Sequence, residues 1–165
     1  MDSTLGALAT DSAAVSAARF TQEFYDWYAQ RGWRLETAVR EGRAFFSPEL
    51  HAALTADLQA QARNPDEIVG LDGDPFLNAQ DGCPPYQVGQ TTRRMDTILV
   101  AVYGKCTDAE ARQRPDAIAE VQLCTSGWVL VNFRYAHPTW DLLTNLAELR
   151  QARAAPQRGA PGAAR

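Results

Sequence analysis

The stretch Ala117-Ile-Ala-Glu-Val-Gln-Leu-Cys124-Thr-Ser-Gly-Trp128-Val-Leu-Val-Asn-Phe-Arg-Tyr135 decides the fold. Its first eight residues alternate imperfectly, Thr125-Ser126-Gly127 gives a turn signal, and Trp128 to Tyr135 follows a period of two. Two apolar runs with so short a break form an antiparallel hairpin. On the second run Trp128, Leu130 and Asn132 face one way while Val129, Val131 and Phe133 face the other, so both sides begin apolar. Such a strand is expected at a central position or covered on both sides. Upstream, Tyr86 to Thr92 and Thr97 to Tyr103 read as another strand pair, connected by Arg93-Arg94-Met95-Asp96.

Outward from these strands the period changes to that of helices. Asp11 or Ser12 caps a first helix whose apolar positions Val15, Phe20, Phe24, Trp27 and Tyr28 make an aromatic stripe ending at Gly32. A shorter helix is expected over Leu35 to Gly42. Ser47, Pro48 and Glu49 then supply a cap, a first-position proline and a first-turn acid, with Leu50, Leu54 and Leu58 on one face. That helix ends before Asn64-Pro65, because a residue preceding proline is pushed out of helical geometry. After the strands, Pro138 precedes an amphipathic helix carrying Trp140, Leu142, Leu143, Leu146 and Leu149. The order predicts an α+β domain: N-terminal helices packed on a curved antiparallel sheet of about four strands, with a closing C-terminal helix. Residues 11–153 form this single domain. Residues 1–10 are expected as a flexible leader and 154–165 as a disordered tail of alanine, proline and glycine.

Composition bounds the function. In 165 residues, 45% are apolar, and 28 of those are alanine, so the larger side chains suffice for one core. A formal charge of −4 argues against a general nucleic-acid binder, which needs a basic face. No run approaches the roughly 18 apolar residues of a spanning helix, and the chain reads as soluble. Residues 1–10 lack a positive, apolar signal pattern, so the chain is either cytosolic or a mature form whose signal was removed.

Cys83, Cys106 and Cys124 show no metal-knuckle or redox spacing. Cys83 precedes the first strand and Cys106 follows the second, so antiparallel pairing brings them side by side. A disulfide there closes a loop of about two dozen residues, worth roughly 3 kcal/mol in the chain-entropy picture, and implies an oxidising compartment. Three reduced thiols in a cytosolic protein remain the alternative. Cys124, at the end of an apolar strand, reads as a small buried side chain.

Residues 67–86 have no sustained period, yet Phe76 and Leu77 can pin them to the body. Asp72, Asp74, Asn78, Gln80 and Asp81 place five oxygen-bearing side chains in ten residues. A calcium loop starting at Asp72 would need glutamate at its twelfth position, where Cys83 stands, so that motif fails. Turns and caps within a pinned loop are the expectation, with no metal and no cofactor. His51 and His137 lie in no recognisable metal or nucleophile motif.

Taken together, Asp74-Pro75-Phe76-Leu77, Gln80-Asp81, Cys83-Pro84, Val102 to Cys106, Ile118 to Val121 and Gly127 to Phe133 resemble the bacterial domain of unknown function numbered 3828. Phe24, Tyr25, Trp27 and Tyr28 near the start and Asp141-Leu142-Leu143 near the end extend the likeness over about residues 15–150. The resemblance implies an exported protein or envelope lipoprotein with a cone-shaped fold related to nuclear-transport-factor-2-like and cystatin-like domains. It transfers no catalytic residues. The chain departs from the family at its start, which has neither signal nor lipobox cysteine.

An isomerase-like enzyme of that shape would use an acid or histidine facing an apolar pocket, and Asp57, Glu120, Tyr103 and His137 are the candidates. No spacing makes them converge, so no catalytic residue is expected. The favoured expectation is a non-enzymatic periplasmic binding protein. Its surface is the loop bearing Asp72, Asp74, Asn78, Gln80, Asp81 and Tyr86, beside Asn132, Arg134 and His137 at the end of the last strand. Its expected partner is a basic protein, in particular a secreted antibacterial toxin encoded by an adjacent gene, blocked by this chain as an immunity protein. A small-molecule carrier is the alternative.

Overall fold

The computed structural model describes residues 11–106, 114–135 and 140–155. The expected leader, His137 and nearly all of the expected tail lie outside them. Helix α1 is Ser12–Gln30, α2 Leu35–Glu41 and α3 Pro48–Arg63, with a 3-10 turn at Arg43–Phe45. Strands β1 Tyr86–Arg94, β2 Thr97–Gly104, β3 Ala117–Cys124 and β4 Gly127–Arg134 follow, and α4 is Leu142–Ala154. The four strands form an open antiparallel meander in the order β1-β2-β3-β4. This is the expected α+β class.

Local chemistry sets the ends of the helices. The Asp11 carboxylate accepts from the Ala13 and Ala14 amides at the start of α1. Ser47 Oγ accepts from Leu50 N at 3.2 Å before Pro48 opens α3, and Asp141 accepts from Thr144 N before α4. Such caps are each worth about 1 kcal/mol.

One face of the sheet, carrying Ile98, Val100, Val102, Ala119, Val121, Leu130 and Phe133, is buried with Phe24, Tyr25 and Tyr28 of α1 in one core. A register shift of β4 at Glu120/Val121 of β3 puts Leu130 and Phe133 on the same face, where strict alternation set them on opposite ones. Phe24 sits at its centre, 5.2 Å from Phe76 and 5.6 Å from Phe46 by ring centroid. Tyr25 is fully buried although the stripe read from sequence passed over it, while Val15, assigned to that stripe, is exposed. A stripe broad enough to face both a sheet and a packed loop takes in positions 24 and 25 together.

Three expectations are corrected. First, β4 is an edge strand, not a central one. Its free edge is partly paired, where Phe46 bridges Leu130 and Ser47 N donates to the Leu130 carbonyl at 2.9 Å, while Leu130 and Phe133 are buried in the core. Second, Cys124 is an exposed free thiol. It pairs with Gly127, so the hairpin connection is only Thr125-Ser126 and Cys124 sits at the tip. Third, Arg93 and Arg94 belong to β1, and the connection shrinks to Met95-Asp96, with Met95 at φ 53°. The Cys83–Cys106 disulfide is formed, with Cα atoms 5.7 Å apart. Among the described residues no helix is long and apolar enough to cross a membrane.

Candidate functional site

The loop between α3 and β1 is built from its ends inward. Gln61 of α3 straps the entry, its Oε1 accepting from Val69 N and Gly70 N at 3.0 and 3.1 Å. Asp57, almost wholly buried on α3, accepts from Leu71 N at 2.8 Å and from Arg153 of α4 at 2.6 Å. At the exit, Tyr86 Oη accepts from Cys83 N at 2.9 Å, and the disulfide ties the same residue to the end of β2.

Between these anchors, three tyrosine hydroxyls grip three consecutive residues. Tyr28 donates to Asp74 Oδ2 at 2.6 Å, Tyr135 to the Pro75 carbonyl at 2.8 Å and Tyr25 to the Phe76 carbonyl at 2.6 Å. Asp74 Oδ1 closes the turn by accepting from Phe76 N and Leu77 N, and Asp74 N donates to the Ala79 carbonyl. Gly73, at φ 139°, makes the bend that brings Asp74 beside Ala79. Burial raises the Asp74 pKa, since its hydrogen bonds only partly offset the lost hydration. Burial, and then the charge of Asp74, push the Tyr25, Tyr28 and Tyr135 hydroxyls upward, so all three stay protonated and able to donate.

A cleft of about 260 Å³ opens above this turn. Asp72, Asp74, Asn78 and Gln80 line it together with Tyr135 and the half-exposed Trp140. The Trp140 carbonyl accepts from Tyr135 N at 3.4 Å, which holds the segment before α4 against the end of β4. Gln80 Nε2 lies 3.3 Å from Asp72 Oδ1.

The remaining residues singled out from sequence lie elsewhere. Asp81 lines a separate cleft beside the disulfide with Arg114 and Asp116. Tyr86 is a core side chain stacked on Tyr25 at 5.9 Å. Asn132 is buried, donating to Asp141 and accepting from Leu143 N, and so fastens α4 to β4. Arg134 pairs with Glu120 at 3.0 Å, and both line a groove shared with Ser47 and Leu143. Of the residues considered for acid-base work, Asp57 and Glu120 are each held by an arginine, and Tyr103 stands on β2 beside Gln90. His51 is structural, its ring bonded to the Val39 carbonyl. Among the described residues, no group of His, Cys, Asp and Glu is placed to hold a metal.

Trp140 is not read from sequence as part of this site, whereas Tyr135 lies within the strand end, 132–137, that is. Both were absorbed into regular elements, Tyr135 into the last strand and Trp140 into the closing helix. Asp141 caps α4, which opens only at Leu142, and so leaves Trp140 outside the helix.

The chain is thus an α+β domain with an open four-stranded sheet and an acidic, aromatic-walled cleft. No family model, curated protein or solved structure matches it.

Proposed function

We propose that this chain is a non-enzymatic binding protein of the bacterial envelope, akin to the domain of unknown function 3828 family. On this reading it presents the tyrosine-held loop to a basic protein. The observation that carries the reading is the grip of Tyr28, Tyr135 and Tyr25 on Asp74, Pro75 and Phe76, with the disulfide fixing the loop exit. A surface ordered in advance loses little conformational freedom on association. The disulfide favours an oxidising compartment such as the periplasm.

Within that class, we favour an immunity protein that blocks a secreted antibacterial toxin. Exposed acids at Asp66, Glu67, Asp72 and Asp81 suit a basic partner and speed its approach. The carrier or isomerase alternative is less well supported, because the space under α1 is filled by Phe24, Tyr28, Phe46, Phe76 and Phe133, all buried. The test is periplasmic co-expression with the product of the adjacent gene. The reading expects that product to arrest growth alone and to copurify harmlessly with this chain. A bound metabolite and no protein partner would favour the carrier instead.

A further inference from the structure

We propose that the cleft between the Asp72–Gln80 turn and Trp140 receives the guanidinium of an arginine side chain from the protein partner. The inference rests on reading this face as a binding surface and names the group that enters it.

The size of the cleft comes first. About 260 Å³ is below the roughly 300–1,000 Å³ of sites that enclose a whole small molecule, and it suits the end of one side chain. The lining sets the charge: among the described residues it includes the carboxylates of Asp72 and Asp74, and no lysine or arginine. Asn78, Gln80 and Asn145 add amide oxygens around the rim. A guanidinium carries five N–H donors in one plane and needs several acceptors, which a carboxylate flanked by amides supplies. An ammonium concentrates its charge on a smaller, more strongly hydrated head.

The aromatic wall favours the same ligand. Trp140 keeps 53% of its surface exposed, although burial is the usual fate of so large a ring. Indole is the best aromatic face for a cation, and guanidinium also stacks on it. The acidic side is stiff, since Asp74 is fixed through three side-chain hydrogen bonds, and the backbone at Trp140 is tied to Tyr135. A depression with one pre-ordered acidic side rewards a single anchor residue from the partner.

The experiment titrates the intact, oxidised chain with N-acetyl-arginine N-methylamide and follows backbone and side-chain amides by NMR. The neutral isostere N-acetyl-citrulline N-methylamide, N-acetyl-lysine N-methylamide and free L-arginine serve as comparisons. Saturable shifts are expected at the Trp140 indole N–H and the Asn78, Gln80 and Asn145 amides, with no such shifts from citrulline and weaker binding of lysine. Trp140→Ala and, independently, Asp72→Asn should each weaken the arginine probe about two- to five-fold. Equal response to citrulline, or shifts elsewhere on the chain only, overturns the proposal. So does tight binding of free L-arginine far above the blocked probe, which would make this a small-molecule site. A chain that captures a protein partner but shows no arginine response overturns the guanidinium assignment and leaves the binding reading standing. Arginine shifts at the cleft with no protein captured support the guanidinium chemistry and remove only the choice of partner.

Discussion

The phenol of Tyr28 donates to Asp74 Oδ2 at 2.6 Å, joining the last turn of α1 to a loop 46 residues away. The contact makes a buried carboxylate part of the frame: Asp74 holds its own turn through Oδ1 while α1 holds it through Oδ2. The surface above it inherits that order.

Replacing Tyr28 by phenylalanine keeps the ring in the core and removes the donor. A buried acceptor left without its partner costs about 1–3 kcal/mol. At about 2–4 °C per kcal/mol for a chain this size, the Tyr28→Phe melting temperature should fall by several degrees. Hydrogen exchange at Phe76 and Leu77 should quicken as well. A variant melting with the parent would contradict the account.

Asp74 also sets a pH dependence. Its pKa is raised by burial, with Glu36 adding to the effect, so the folded state binds a proton more tightly than the unfolded chain does. Stability is therefore greatest below the ordinary carboxylate range as far as this group is concerned, and it falls as pH rises from there through the raised folded value. Asp11 and Asp141, whose pKa values are lowered, act in the opposite sense. The comparison is accordingly made within one background: urea unfolding of the parent and Asp74→Asn at several pH values from 3.5 upward. The parent should lose stability relative to the variant as pH rises, and a constant difference would show that Asp74 is not the titrating group.

How far the sequence reaches is visible in these residues. Short-range signals carried through: Ser47-Pro48-Glu49 opens α3, and the two hairpins lie where alternation and turn residues put them. The loop at 67–86 is legible as pinned by Phe76 and Leu77, and both are core side chains, but its tyrosine grips are not, because Tyr28, Tyr25 and Tyr135 reach it across 46, 51 and 60 residues. A tyrosine bound for such a contact has the same local pattern as one that only fills the core. Asn132 illustrates the converse: a polar residue in an apolar strand suggested a binding group, yet it fastens α4. Cys124 ends its strand where expected, yet it is exposed together with Leu123, because the hairpin end at 123–126 projects beyond the core.

The disulfide should contribute mainly by restricting the unfolded chain. With Cys83 and Cys106 separated by 23 positions in sequence, its loss should cost roughly 3 kcal/mol. Cys83→Ser with Cys106→Ser should melt about 6–12 °C below the oxidised parent, and dithiothreitol should lower the parent similarly. Melting that is indifferent to both would show that the tyrosine grip alone sets the loop.

Arg153 and Asp57 form the ion pair that ties α4 to α3, with the Asp57 side chain only 3% exposed. Arg153→Met strands that carboxylate and should cost about 3–5 kcal/mol. Adding Asp57→Asn should recover part of the loss, which a double-mutant cycle by chemical denaturation reads directly. Additive effects in the cycle would mean that the two side chains are not coupled.

The central claim is that the Asp72–Gln80 face captures a basic protein, and growth rescue tests it most directly. Cells exporting the adjacent gene's product should be protected by the parent chain. They should lose that protection with Asp72→Asn combined with Trp140→Ala, a variant that must still show its disulfide and a parental melting curve. Undiminished protection by this folded variant, or none from the parent against a toxic neighbour, would contradict the account.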